Sequence, residues 1–242
     1  MHRGTVSELW RWPVKSMGGE PARALALDSR GVGGDRTHAV VSERKGVMSP
    51  LTAREAPRLL AWRASYPAVP GAALRPEAPP LATVTAPDGR SFDWADTGLP
   101  SALSDDLARP VELRRDERGI QDLSDSVLVT FERTHGALAE ELDAPLDMRR
   151  FRTNLHLRFD APAWAELGWE GRTLEFEGGV VMRLLHPCAR CVIPTRDPDT
   201  QLKWPGLLRH LARAHATSFG INARVEQSGR VGAGEGVRLR AA

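Results

Sequence analysis

Apolar and polar residues alternate over much of this chain, a period-two pattern that predicts strands rather than helices. Val6, Trp10 and Trp12 fall on one face of a first strand, and Leu25 and Leu27 on one face of another. Pro87-Asp88-Gly89-Arg90 supplies a turn between Thr83-Val84-Thr85 and Phe92-Asp93-Trp94, which predicts a hairpin. Further on, Leu155, Leu157 and Phe159 alternate, as do Leu174 and Phe176, and then Phe219, Ile221, Ala223 and Val225. The run Val180 to Leu185 reads as a buried strand leading straight into His186-Pro187-Cys188. Helical spacing is confined to short pieces: Glu55 to Trp62, Ser101 to Leu107, Thr134 to Leu142 and Pro205 to His215. Such pieces suit barrel ends and sheet faces. The prediction is a mainly β protein with short helices, of class α+β.

Two stretches break the pattern. Tyr66 to Leu81 is proline-rich and keeps no period, so it reads as a long loop inside a first domain. Gly119 to Ser124, after a Val111-Glu112-Leu113 strand, reads as the domain boundary, which gives domains 1–119 and 120–242.

Composition narrows the functional classes. Lys plus Arg exceed Asp plus Glu by 33 − 31 = 2, so no bulk charge argues for nucleic acid or a membrane surface. No run of about 18 apolar residues exists, and no apolar segment follows the Met-His-Arg start, so a cytoplasmic protein is expected. Local charge says more than the sum. Arg149, Arg150, Arg152 and Arg158 fall within ten residues that contain no acid, which makes either a solvated strand face or an anion site.

The chain has two cysteines, and both fall in one Cys-x-x-Cys step, Cys188 to Cys191. Thiolates are soft metal ligands and the reactive form in redox exchange, and Arg190 beside Cys191 would favour the deprotonated sulfur. A structural zinc site needs four ligands, and this pair supplies two. A thioredoxin-like pair normally opens a helix, whereas Val192-Ile193-Pro194 reads as extended chain.

Five separated motifs resemble one family. Cys188-Ala189-Arg190-Cys191 followed by Asp197-Pro198-Asp199-Thr200 resembles the signature of MOSC domains, and Leu9 to Glu20 (LWRWPVKSMGGE) resembles the opening of the β-barrel domain that precedes MOSC in one branch. That branch includes the mitochondrial amidoxime reducing component and its bacterial relatives. Gly34-Asp35-Arg36, Thr52 to Glu55 with Pro57-Arg58-Leu59, and Arg150 to Leu155 follow in the expected order. The resemblance implies an N-terminal β-barrel domain, a MOSC β-barrel domain and a bound molybdenum cofactor, whose phosphate and dithiolene-held metal call for fixed cations and a soft ligand. Carried over residue by residue, it implies Cys191 as the metal ligand and catalytic centre, with Cys188 a small packing residue. It implies Lys15, Ser16, Arg36, Thr52, Arg54, Arg152 and Asn154 as cofactor-binding residues; Asn154 is expected on the same strand face as Arg152. Arg54 has the alternative of pairing with Glu55 or Asp35, and His186 is expected as a neighbour rather than a ligand.

The chain departs from the family pattern at Gln201, where relatives commonly carry glycine, and at Phe131-Glu132-Arg133, where relatives often show a Ser/Thr-rich stretch. These changes bear on the turn after the cysteine loop and on cofactor contacts from the second domain. No Cys-rich ferredoxin segment follows the MOSC-like part, so electrons are expected from an external donor such as a ferredoxin or flavodoxin. Three functions stay open: a reductase of N-hydroxylated small molecules, a cofactor or sulfur carrier using Cys191 without turnover, and a binding domain without activity.

Overall fold

The computed structural model describes residues 2–67, 74, 78–120 and 126–240. In chain order the elements are β1 (Arg3–Arg11), β2 (Glu20–Ala22), β3 (Ala24–Asp28), β4 (Gly31–Val32), β5 (His38–Arg44), β6 (Val47–Pro50), β7 (Arg63–Ser65), β8 (Thr83–Thr85), β9 (Ser91–Asp93), α1 (Leu99–Leu107) and β10 (Glu112–Arg115). There follow β11 (Val127–Phe131), α2 (Glu132–Glu141), β12 (Leu155–Phe159), β13 (Thr173–Phe176), β14 (Val181–Ala189), α3 (Pro205–Ala214), β15 (Ser218–Gln227), β16 (Gly229–Gly232) and β17 (Gly236–Arg240). The predicted β-rich pattern with short helices is what the chain adopts.

Seven strands close a barrel in the order β1-β12-β11-β15-β14-β13-β17, and β17 returns to β1. Closure removes the unpaired edges that a strand-rich chain would otherwise expose. Six of these strands come from residues 127–240 and the seventh is the N-terminal β1, antiparallel to both β12 and β17. β3 likewise pairs with β16 from the far end of the chain. Strand pairing therefore crosses residue 119 in both places. The barrel is filled by inward residues of each strand, among them Val6, Leu9, Leu157, Met182 and Ile221.

β2 extends the barrel sheet beside β1, β3 sits between β16 and β4 in a three-stranded sheet, and the other strands form two more, β10-β5-β6 and β7-β8-β9. These last two lie toward the N-terminal half of the chain. They share a second apolar cluster with α1 that includes Val40, Leu59, Trp62, Val84, Leu99 and Leu103. A third cluster, Leu138, Phe151, Leu207, Leu211 and Phe219, lies between α2 and α3. Leu207 and Leu211 are four apart on α3, so one stripe of that helix is buried while its other face is wet.

Three expectations about local structure change. The alternation Val6, Trp10, Trp12 breaks because β1 shifts register between Val6 and Glu8; Leu9 and Arg11 turn inward and Trp10 outward. Arg152 and Asn154 do not share a strand: Arg152 ends the 3-10 turn Met148–Phe151 in a left-handed conformation, and β12 begins at Leu155. Ile193–Thr195 is a 3-10 turn rather than extended chain. The hairpin at Pro87 to Arg90 forms as predicted, β8 pairing with β9. Most of the proline-rich stretch 66–81 (68–73 and 75–77) and of the expected boundary 119–124 (121–124) lies outside the described residues.

Candidate functional site

A cleft of about 370 Å³ opens where the barrel meets the first small sheet, a size within the range of roughly 300–1,000 Å³ typical of small-molecule sites. Its polar wall comes from chain segments far apart in sequence: Lys15, Ser16, Arg36, Thr52, Arg152 and Asn154. The opposite wall is the end of β14 and the loop after it, with His186, Cys188, Arg190 and Cys191. Of the expected cofactor-binding residues, Arg54 alone stands apart; it is exposed and does not line the cleft.

The cysteine wall is positioned by irregular pairing. β14 alternates in and out through Met182 and Leu184, then its register against β15 shifts at Pro187 and again at Ala189. Proline removes a ladder hydrogen bond and bulges re-aim side chains. The strand therefore leaves the barrel wall with both sulfurs facing the cleft. Both cysteines are free and half-buried.

Arg190 acts on the other sulfur than expected. Its Nη1 donates to Cys188 Sγ at 3.0 Å and its Nη2 to the Phe151 carbonyl at 2.8 Å. Cys188 is thus a cleft residue with a cationic donor, not a packing residue, whereas Cys191 Sγ takes part in no hydrogen bond among the described residues. The Nε of Arg190 is buried without a hydrogen-bond partner.

The basic wall is held by a backbone clasp around Trp12. Asp35 accepts from the Trp12 N–H at 2.7 Å, pairs through its other oxygen with Arg36, and the Arg36 N–H donates to the Trp12 carbonyl at 2.7 Å. This explains the Gly34-Asp35-Arg36 motif residue by residue. Gly34 has φ 78°, and a Cβ there would sit 2.8 Å from the Tyr66 ring, whose hydroxyl donates to the Gly34 carbonyl at 2.7 Å. The Arg152 guanidinium lies 4.3 Å from the centre of the Trp12 ring and donates to the Met17 carbonyl at 2.6 Å. Arg36 Nη2 reaches the Arg152 carbonyl at 3.3 Å. Lys15, buried, donates to the Ile120 carbonyl at 2.9 Å, and Ser16 Oγ accepts from the Ala53 N–H at 3.0 Å.

Ser16, Arg36 and Arg152 all carry positive φ, of 69°, 51° and 55°. A non-glycine residue in that region costs on the order of 1–3 kcal/mol, a strain that concentrates at functional sites. Here it turns three polar side chains toward one space.

Asn154 and Thr52 line the cleft but are already engaged. Asn154 Oδ1 accepts from the Leu128 N–H at 3.2 Å, and its amide donates to the Trp10 carbonyl at 3.3 Å. Thr52 and Glu55 close a turn, with the Glu55 carboxylate accepting from both the Thr52 hydroxyl and its N–H and the Glu55 N–H donating to the Thr52 carbonyl at 2.9 Å. The other arginines of the basic run do not form one anion site. Arg149 pairs with Asp147 and Asp199, Arg150 with Asp197, and Arg158 with Glu132 on the surface. Asp197 and Asp199 of the signature thus anchor the cysteine loop to this run. Gln201 takes φ 58°, the conformation glycine adopts freely, and its amide donates to the carbonyls of Pro198 and Asp199, so the turn forms without glycine. Thr130 and Thr134 bond inside the fold, to Thr153 and Glu166, and neither lines the cleft.

Two polar cleft residues escaped the sequence reading. Ser126 precedes β11, and Asn222 sits on β15, where its amide approaches the His186 carbonyl at 3.4 Å. A buried amide in an otherwise apolar strand is the signal that could have found Asn222.

The described lining holds four cationic side chains, two thiols and no carboxylate. That donor set fits an anionic, phosphate-bearing ligand with a soft metal: cations for the phosphate, a sulfur for the metal.

The family model for the MOSC domain matches residues 121–238, and the model for the MOSC N-terminal beta barrel domain matches residues 3–104. The chain belongs to the MOSC family. A comparison with curated protein sequences found no match. Among solved structures, the YuaD protein from Bacillus subtilis is similar at 14% identity with TM-score 0.51, over 99% of this chain and 97% of that one. A likeness at that identity speaks to the fold alone. YiiM from Geobacillus stearothermophilus matches 48% of this MOSC chain and 54% of its own at 17% identity, with TM-score 0.38. No helix among the described residues is long and apolar enough to cross a membrane.

Proposed function

We infer that this MOSC protein binds a molybdenum cofactor in the cleft and reduces N-hydroxylated small molecules with electrons from a partner protein. The observation that supports it most is the meeting of Cys191 with Lys15, Arg36 and Arg152 in one cleft whose described lining holds no carboxylate. Cys191, with a sulfur not committed to a hydrogen bond, would hold the metal. Lys15 and Ser16 would face the cofactor's phosphate, and the planar donor forks of Arg36 and Arg152 would hold phosphate or pterin. The bound cofactor supplies the oxygen-atom acceptor that breaks an N–O bond.

The chain's own residues then bind, orient and screen. Leu128, Phe151 and Ile193 supply the apolar part of the cleft lining, and Asn222 and His186 add polar groups to it. The basic surround suits an acidic electron donor such as a ferredoxin or flavodoxin, and docking of that kind weakens with salt. The cytosol, where both thiols stay reduced, is the compartment this chemistry requires.

The test is molybdenum and released pterin measured on protein from a molybdenum-replete host, followed by reduction of benzamidoxime or hydroxylaminopurine with a ferredoxin and its reductase. We expect about one molybdenum per chain and turnover, both lost in Cys191→Ser. Loaded protein that is inert on N-hydroxylated compounds yet accepts labelled sulfur at Cys191 would make it a carrier instead. Protein with neither metal nor pterin would overturn the reading.

A further inference from the structure

A second cluster of ligating side chains lies away from the cleft. Glu141 ends α2, His210 lies on α3, and His215 follows α3. One ligand atom from each falls within 4.8 Å of the others. Glu141 Oε2 lies 2.6 Å from His210 Nε2 and 2.7 Å from His215 Nε2, so two imidazoles converge on a single oxygen.

The surroundings fix these groups. Trp164 Nε1 donates to the other Glu141 oxygen at 3.0 Å, and the Trp164 ring stacks on His215 with centroids 3.4 Å apart and planes 13° from parallel. His215 keeps only 12% of its side chain exposed, and His210 and Glu141 keep 28% and 30%. Oriented rings, with a hydrogen-bonded carboxylate between them, are the arrangement that support around a metal ligand provides.

We propose that Glu141, His210 and His215 form a zinc-binding site that clamps α2 to α3. Two imidazole nitrogens and one carboxylate oxygen suit zinc, and imidazole disfavours magnesium and calcium. Bonds of about 2.0 Å in a tetrahedral site place ligand atoms roughly 3.3 Å apart. The two nitrogen–oxygen separations would widen from 2.6 and 2.7 Å by roughly 0.6–0.7 Å, and the two ring nitrogens, within 4.8 Å of each other, would settle at about that same ligand spacing. Binding releases any proton held between each ring nitrogen and the carboxylate, and the fourth position falls to water. The clamp would sit over the apolar cluster of Leu138, Leu207, Leu211 and Phe219. It does not depend on what the cleft binds.

The test uses the full chain and zinc chloride alone. Equilibrium dialysis is run on the wild type, on Cys188→Ser/Cys191→Ser to remove the thiols, and on that double variant carrying His210→Ala or, separately, Glu141→Gln. We expect the thiol-free protein to retain about one zinc and to gain Tm as free zinc rises. Each further substitution should weaken binding at least tenfold and abolish the Tm gain, while circular dichroism stays unchanged. Cobalt in place of zinc should show visible d–d bands with no thiolate charge-transfer band. Zinc binding that disappears with the cysteines, or survives unchanged in both His210→Ala and Glu141→Gln, would overturn the site.

Discussion

Replacing Glu166 with glutamine should stabilise this protein at alkaline pH and not at acid pH. Glu166 is 1% exposed; its Oε2 accepts from Thr134 Oγ1 at 2.9 Å, while its Oε1 is buried without a partner. Burial pushes its carboxyl from 4.5 up to about 7, against the opposing pull of its own backbone N–H and of Thr134. At about 1.36 kcal/mol per pH unit, that rise corresponds to on the order of 3 kcal/mol. The folded pKa lies above the unfolded one, so the folded chain binds the extra proton between these values. The stability this contributes is complete below about pH 4.5 and is lost as pH rises through about 7. Glu166→Gln keeps the shape and carries no charge. The amide has its own fixed cost of finding partners, but that cost is the same at every pH. Urea unfolding of both proteins at pH 5, 7 and 9, with equal m-values, should show the variant gaining up to ~3 kcal/mol on the wild type between pH 5 and pH 9. A difference that stays constant from pH 5 to pH 9 would refute the buried-carboxyl argument.

Three further outcomes follow from the same geometry. Burial first, and then the charge of His135, holds His156 down to about 4, and burial with Arg115 does the same to His38. These folded values lie below 6.5, so their stability is present above pH 6.5 and lost as pH falls toward 4; His156→Asn should reduce the acid loss by ~3 kcal/mol in urea melts, and an unchanged acid limb would count against it. Arg36→Gly should be more stable than Arg36→Ala by ~1 kcal/mol, because both remove the guanidinium and only glycine accepts φ 51° without cost; equal stabilities would show that the backbone is not strained. Gln201→Gly should stay within ~1 kcal/mol of the wild type by thermal melting, since relief of φ 58° offsets two lost amide hydrogen bonds, and a loss above ~2 kcal/mol would show the side chain holding the loop.

Much of the barrel was legible because it rests on local period. Leu155, Leu157 and Phe159, or Ile221 and Ala223, occupy the inward positions that their alternation announces. The exchange of β1 and β3 into the C-terminal sheets was not legible, since pairing between residues more than 140 apart leaves no mark in a local pattern. The bulge in β1 was hidden for a similar reason: one extra residue inverts every later side chain, and composition does not show where it sits. In the cleft, residue types were readable and bonding was not. Arg190 stands two residues after Cys188 and directly before Cys191, and only the path of the chain decides which sulfur its guanidinium reaches. The four arginines of 149–158 look alike in sequence, and acids supplied from elsewhere in the chain give three of them ion pairs.

That pairing is what gives the cleft its character. A net charge of +2 says nothing about local fields, because 33 basic and 31 acidic residues can cancel in place or leave islands. At several places on this surface they cancel: Arg183 meets Glu226, Arg238 meets Glu175, Arg58 meets Asp106. At the cleft wall Asp35 is turned behind the lining, with one oxygen on the Trp12 N–H and the other on Arg36, and Glu55, which bonds Thr52, is likewise not part of the described lining. Lys15, Arg36, Arg152 and Arg190 then face one space with no carboxylate in its described lining, and two of the four stand on left-handed backbone. Asp35 offsets Arg36 from behind the wall, and any cations of this group left unbalanced in a partly desolvated cleft repel more strongly than they would in water. Backbone strain adds to that cost, and neither the barrel nor the small sheets need these side chains for their cores. An anionic ligand that fills the cleft reverses the sign of the electrostatic term, which is the physical reason to look for a phosphate there before any other group.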